Sequence, residues 1–173
     1  MAQPLRFEAC SVARSLEAIG DYWCFLILRE CFFGVHRFDA LVRNIGIATN
    51  VLSQRLAHLT RHGILERRAD PEDGRRWEYR LTPKGLALYP LTLGFIRWGD
   101  EWMNDGKGPP LTLIHRDCGK AFKPTMCCSV CGGPVSAHRV EYRERTTRRK
   151  PRKKTRRLSE DTGKARRAST PKR

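Results

Sequence analysis

The chain has 173 residues, 34 Lys and Arg against 18 Asp and Glu, a formal net charge of +16, and 40% apolar residues. Length and apolar content allow one core of roughly 100 residues with appendages rather than a chain packed end to end. There is no apolar run of the ~18 residues that a membrane span requires. The first residues lack the basic lead and apolar stretch of a secretory signal. Seven cysteines without an export signal point to thiols or metal ligands rather than a disulfide framework, in a protein expected to be cytoplasmic with no membrane partner.

The charge is unevenly placed. Between Arg143 and Arg173 stand fifteen Lys or Arg and three Asp or Glu, a net of +12, which leaves +4 for residues 1–142. The densest block of this stretch, residues 148–157, repels itself and lacks apolar residues to bury, so a disordered basic tail is expected over 143–173. A tail of this kind favours polyanions without selecting a sequence.

In chain order, Val12, Leu16 and Ile19 form a helical stripe that ends at Gly20. Asp21 is placed to cap a second helix running to about Phe33, apolar nearly all round, as a central core helix is. Phe38, Leu41, Val42 and Ile45 predict a third helix stopped by Gly46. A fourth runs from about Thr49 to His62, with Leu52, Leu56 and Leu59 inward and Gly63 as its stop. The two helices around Gly46 have the layout of a helix-turn-helix, the second polar on its outer side.

Ile64–Arg68 and Arg75–Leu81 read as two strands around the turn Asp70-Pro71-Glu72-Asp73-Gly74. In the second strand, Trp77, Tyr79 and Leu81 fall on one face and charged residues on the other. A hairpin straight after a recognition helix, flanked at its tip by Arg75 and Arg76, is a wing. Thr82-Pro83 is an N-cap with proline at the first helical position, opening the last helix of the domain. Leu88, Leu91, Phe95, Trp98 and Trp102 form a broad apolar stripe on it at close to heptad spacing.

These residues resemble the HxlR-type winged-helix regulators. The resemblance lies in Cys10, Ile19-Gly20-Asp21-Tyr22-Trp23, Leu26-Ile27-Leu28-Arg29 and Arg37-Phe38-Asp39-Ala40-Leu41. It continues through Gly46-Ile47, Val51 to Leu56, His62-Gly63-Ile64-Leu65, Glu78 to Thr82, Gly85, Leu88, Pro90 and Trp98. Ser11 stands where the family pattern has proline, and Tyr22 where lysine is commoner. The resemblance implies a homodimer built on the first helix and the Leu88–Trp102 helix, with a recognition helix in the major groove of double-stranded DNA. An inverted-repeat operator and a transcriptional regulator, a repressor rather than an activator, are then expected.

Asn50, Ser53, Gln54 and His58 are the candidates for groove or base-edge contact, and Thr49, Arg55, Arg75 and Arg76 for phosphate contact. Arg55 lies toward the side of its helix, from where it can also pair internally. Some relatives use a thiol at the position of Cys10 to sense oxidants, so Cys10 is a candidate redox sensor beside the reading of a packed thiol. A small-molecule effector is not identified by these residues.

Past a Gly106–Pro110 linker, His115-x2-Cys118 and Cys128-x2-Cys131 form two pairs of metal-ligand type, suited to one structural Zn2+ in a zinc-ribbon-like knuckle. Cys127 is the spare thiol, and a metal-free hairpin or redox cluster are the other readings. No nucleophile–base set is apparent, so an enzyme is not expected. The domains expected are 1–106, winged helix-turn-helix; 111–142, Cys/His extension; and 143–173, tail. The fold class is α+β, mainly helical. A second functional reading makes the tail and knuckle an RNA-binding or non-specific nucleic-acid module.

Overall fold

The computed structural model describes residues 10–71 and 73–143. The expected tail from 144 onward, and Glu72 at the wing tip, lie outside them. The chain divides into two compact units that meet between Met126 and Cys127. The stretch 111–142, expected as one extension, is therefore shared between the units.

In the first unit, α1 (Ser11–Ile19) leads through Gly20 into α2 (Tyr22–Phe32). Asp21 caps α2 as expected, its carboxylate accepting from the Cys24 amide at 3.3 Å. Helix α2 supplies Cys24, Ile27, Leu28 and Cys31 to a core completed by Leu41, Ile47, Leu52, Leu56, Leu59, Ile64 and Leu65. Both α2 cysteines are thus packed side chains, and burial beside the Glu30 carboxylate pushes the Cys31 thiol up to about 12.

Helix α3 (Phe38–Ile45) ends at Gly46 in the left-handed region, φ 71°, and Ile47 drops into the core before α4 (Thr49–Arg61) begins. The α2–α3 angle is fixed by a polar clasp. Buried Glu30 accepts from Asn44 Nδ2 and from Arg29 Nη2, both at 2.8 Å. Both carboxylate oxygens are satisfied, which a charge in this position requires.

Strands β1 (Leu65–Ala69) and β2 (Trp77–Leu81) pair antiparallel with Leu65 opposite Leu81 and Ala69 opposite Trp77. A third, minimal strand joins them. Arg37 bridges Glu78, and the Tyr79 amide donates to the His36 carbonyl at 2.8 Å. On β2, Tyr79 and Leu81 pack against the core. Glu78 is buried and paired with Arg80 Nη2 at 2.7 Å, whereas Trp77 is 47% exposed, with the Arg67 guanidinium 4.0 Å above its ring. The alternation therefore holds for Tyr79 and Leu81, while the strand added at 36–37 covers Glu78, which the pattern alone leaves on the charged face.

The last helical region is broken. Short α5 (Pro83–Leu86) is capped by Thr82 Oγ1, which accepts from the Gly85 amide at 3.1 Å. Helix α6 (Tyr89–Trp102) starts anew with Pro90 in its first turn. Pro90 has no N–H to offer the Leu86 carbonyl, so one continuous ladder is impossible here.

After α6, the first unit closes with a hairpin at 113–122. Its amide-to-carbonyl bonds run from Phe122 to Leu113 and from His115 to Lys120. The second unit has described residues 127–143, with Cys127 bridging Pro134 and a 3-10 turn at Ala137–Arg139. No helix among the described residues is long and apolar enough to cross a membrane.

Candidate nucleic-acid interface

Helix α4 buries Leu52, Leu56 and Leu59 and turns Thr49, Asn50, Ser53, Gln54, Ala57 and Arg61 outward. The spacing of these two sets is that of a helix with one face in the core. Four of the residues read from the sequence therefore share an exposed face: Thr49, Asn50, Ser53 and Gln54. Ser53 Oγ donates to the Thr49 carbonyl at 2.8 Å, leaving the hydroxyl oxygen as an acceptor. Asn50 and Gln54, one turn apart, carry the amide groups that match adenine edges bidentately. Ala57 between Gln54 and Arg61 leaves that face low enough for close approach to a groove floor.

Two further candidates serve the fold. Arg55 sits at 2.7 Å (Nε) and 2.6 Å (Nη2) from Asp21 Oδ2, tying α4 to the cap of α2. Burial alone would raise the Asp21 carboxyl, but hydrogen bonds from Arg55 and the Cys24 amide outweigh it and hold it below its ordinary value. His58 is half-buried, with Nε2 3.2 Å from the Ala18 carbonyl and its ring 4.5 Å from that of His62. Gly20 allows this contact, because a Cβ there would lie 2.9 Å from Cys24 Sγ and 3.3 Å from His58 Nε2. Arg55 and His58 thus hold the recognition helix against α1 and α2.

At the wing, Arg75 and Arg76 are exposed at the turn. The Arg75 amide and the Arg76 guanidinium both engage Asp73, the latter at 3.0 Å, so the turn fixes the Arg75 backbone and orients the Arg76 side chain. Between the wing and the start of α3 lies an open cleft of about 460 Å3, lined by Arg37, Phe38, Arg67, Arg75, Arg76 and Trp77. Arg37 and Arg67 were missed in the sequence. Arg67 lies diagonally across the β ladder from Trp77, and that proximity follows only once the register is known. Arg61, which helical spacing already places on the outer side of α4 with Asn50, Ser53 and Gln54, is exposed there.

Cys10 is the half-buried N-cap residue of α1, and its carbonyl accepts from the Arg14 amide. The metal-type residues fall on two turns. His115 Nδ1 and Cys118 Sγ stand 3.5 Å apart, and His115 Nε2 lies 3.7 Å from Asp117 Oδ2. On the other turn, the amides of Cys131 and Val130 bond the Cys128 sulfur and hold its thiol below its ordinary value. Among the described residues, no group of three or more His, Cys, Asp or Glu is gathered in a form that could hold a metal.

The model of the HxlR-like helix-turn-helix family matches residues 18–107, just over half of the chain. The chain belongs to this family. An uncharacterised HTH-type transcriptional regulator of Mycobacterium tuberculosis is 44% identical over 135 residues, which cover 78% of this chain and 85% of the relative. A regulator of the same description from Bacillus subtilis, YvaP, is 32% identical over 100 residues, covering 57% and 88%. Among solved structures, a crystal structure of PA1607, assigned as a transcription factor, is 34% identical with TM-score 0.72, covering 79% of this chain and 96% of that one. This HxlR-like chain is accordingly a transcriptional regulator with a helix-turn-helix DNA-binding domain.

Proposed function

We propose that this HxlR-like protein is a homodimeric repressor that reads an inverted-repeat operator through α4. The observation that carries the reading is the outer face of α4, where Asn50, Ser53 and Gln54 stand exposed in a row above a fully buried leucine stripe. Asn50 and Gln54 read base edges, while Thr49, Arg61, Arg75 and Arg76 engage phosphates on either side. Arg37 and Arg67 in the wing cleft extend the cationic surface along the backbone.

The second copy is called for by the apolar surface of the single chain. Phe95, Trp98 and Trp102 on α6 are 61%, 58% and 67% exposed, and Val12 and Leu16 on α1 are 66% and 54% exposed. Water-exposed aromatic and aliphatic groups in this number are of the kind that mark association surfaces. Of the other two members of the expected stripe, Leu91 is 47% exposed, whereas Leu88 packs on the domain's own core and fixes the start of α6. Repression follows from occupancy: a dimer covering two half-sites in a promoter competes with the transcription machinery for the same DNA.

The test uses operator DNA selected by the full chain from a random pool. Asn50→Ala and Gln54→Ala are each expected to weaken binding to it by about tenfold or more, the order of magnitude of one lost bidentate base contact. Their thermal stability should match that of the parent, since both side chains are exposed. Unchanged affinity in both variants would remove α4 as the reading element.

A further inference from the structure

We propose that the cleft between the wing and the start of α3 binds a small aromatic carboxylate, and that this ligand displaces the operator. The ligand site stands on the cleft's own chemistry, while its regulatory effect rests on the DNA-binding reading above.

The register of the hairpin decides what the cleft contains. Residues directly opposite one another on an antiparallel pair share a face of the sheet. Leu65 lies opposite Leu81, Arg67 opposite Tyr79 and Ala69 opposite Trp77, so all of these are on one face. That face changes character along its length. Leu65 is buried, and Leu81 and Tyr79 pack against the core. Toward the tip, the Arg67 guanidinium stands 4.0 Å from the centroid of the Trp77 ring, and Trp77 keeps 47% of its surface exposed. Ala69, the neighbour directly across from Trp77, is too small to cover the ring. Phe38, the first residue of α3, joins Trp77 and Tyr79 in the wall of the cleft, whose volume is about 460 Å3. Small-molecule sites span about 300–1,000 Å3, so a body of one or two fused rings is the appropriate size.

The unpaired charge in the cleft has one sign. Arg37, Arg67, Arg75 and Arg76 line it beside a single acid, Asp39, which faces Arg43 at 3.6 Å. Arg76 pairs with Asp73 at 3.0 Å, and Arg37 stands 3.8 Å from Asp70. Among the described residues, no carboxylate pairs with the guanidinium of Arg67 or of Arg75. Helix α3 adds to the same field. Its N-cap, Arg37, provides no side-chain acceptor, which leaves the positive end of the helix uncapped at the cleft wall. An entering anion therefore meets guanidinium groups ready for charge-assisted bonds, and carboxylate is the group whose geometry matches their fork.

The aromatic side chains decide the class of anion. A phosphodiester backbone uses the arginines and leaves three aromatic side chains without a partner. A planar ring lies against them in offset or edge contact, with its carboxylate directed to the rim. The same arginines face backbone phosphates in the proposed function, so a ligand that neutralises them and the operator exclude each other.

The probe is 2-naphthoate, with the neutral 2-naphthamide as its match. Each is titrated at constant ionic strength into the full chain without DNA and followed by protein-detected NMR. Naphthoate is expected to shift the Trp77 indole resonance, and not those of Trp98 and Trp102, with a Kd of about 1 mM or tighter, as its size allows. Naphthamide should bind at least about tenfold more weakly, having lost the charge-assisted bonds. Trp77→Ala and Arg75→Gln, both at exposed positions, should each weaken naphthoate by about tenfold, whereas Trp77→Phe keeps a ring and stays within about threefold. Saturating naphthoate should lower operator affinity by about tenfold in the parent and leave that of Trp77→Ala unchanged by the ligand. Because the titration contains no DNA, the ligand site stands or falls separately from the operator. Absence of naphthoate binding, or equal binding of the amide, overturns the site and leaves the cleft to the DNA backbone alone. Binding undiminished in Trp77→Ala and Arg75→Gln overturns it too, by moving the anion to the basic residues elsewhere. Naphthoate that binds at Trp77 without weakening operator binding overturns the displacement.

Discussion

The side chains that distinguish this domain chemically are polar groups whose surroundings assign them opposite roles. Asn50 and Gln54 are left exposed, whereas Asp21 and Glu30 are spent on joints between elements and Glu78 on Arg80 of its own strand. His36 is the least satisfied member of this second set, because its buried Nδ1 has no hydrogen-bond partner. Burial, together with the nearby Arg80, holds its pKa below the ordinary histidine value against the opposing pull of Glu78 and the hydrogen bond with Tyr79. A depressed imidazole is favoured neutral in the folded state. Its contribution to stability is therefore complete above the unfolded pKa of about 6.5 and is lost as pH falls through the lower folded value. Thermal unfolding of the parent should show Tm dropping between pH 7 and pH 5, and His36→Gln should flatten that drop. Equal pH slopes in the two proteins would dismiss His36 as the titrating group.

At the scale of elements, most of the layout was legible because local signals and core packing agree. Asp21, Gly46, Gly63 and Thr82-Pro83 punctuate the chain where the structure begins or ends helices, and leucines at i, i+4 and i+7 orient α4 correctly. Three features were not legible. The pairing of His36 and Arg37 with β2 is a contact over some forty residues with no periodicity to announce it. The inward turn of Glu78 depends on that pairing. The break between α5 and α6 was signalled by Pro90, but the apolar stripe runs across it and suggests continuity.

Gly85 shows how tightly this junction is made. A Cβ at that position would lie 2.3 Å from the Ile64 carbonyl oxygen and 3.0 Å from Leu81 Cδ2. The backbone of α5 is pressed directly onto the start of the wing, where Thr82 Oγ1 also donates to the Gly63 carbonyl at 2.7 Å. Gly85→Ala must push α5 off the sheet and should cost about 1–3 kcal/mol, the range of an overpacked core site. Chemical denaturation would measure it. An unchanged midpoint would mean that α5 moves away without loss.

For the whole molecule, the conspicuous charge proved a poor guide to the site. Most of it belongs to residues 143–173, nearly all outside the described structure, whereas the proposed reading surface is a polar helix face flanked by a few arginines. The candidate site was legible where exposure follows from helical period, at Thr49, Asn50, Ser53 and Gln54. It was not legible where tertiary neighbours decide, as when Asp21 claims Arg55 and the Ala18 carbonyl meets His58.

In the proposed function, dimerisation through α1 and α6 would convert one such face into two, related by a twofold axis, and so would tie oligomeric state to operator symmetry. The most direct measurement selects binding sites from random DNA with the full chain and with Trp98→Glu, alongside the mass of each protein in solution. The proposed function predicts a dimeric parent that selects an inverted repeat with half-site centres about one helical turn, ~34 Å, apart. It predicts a monomeric Trp98→Glu that recovers only a single half-site at weaker affinity. A parent that enriches no common motif, or one that selects the same symmetric site after Trp98→Glu has made it monomeric, would contradict it.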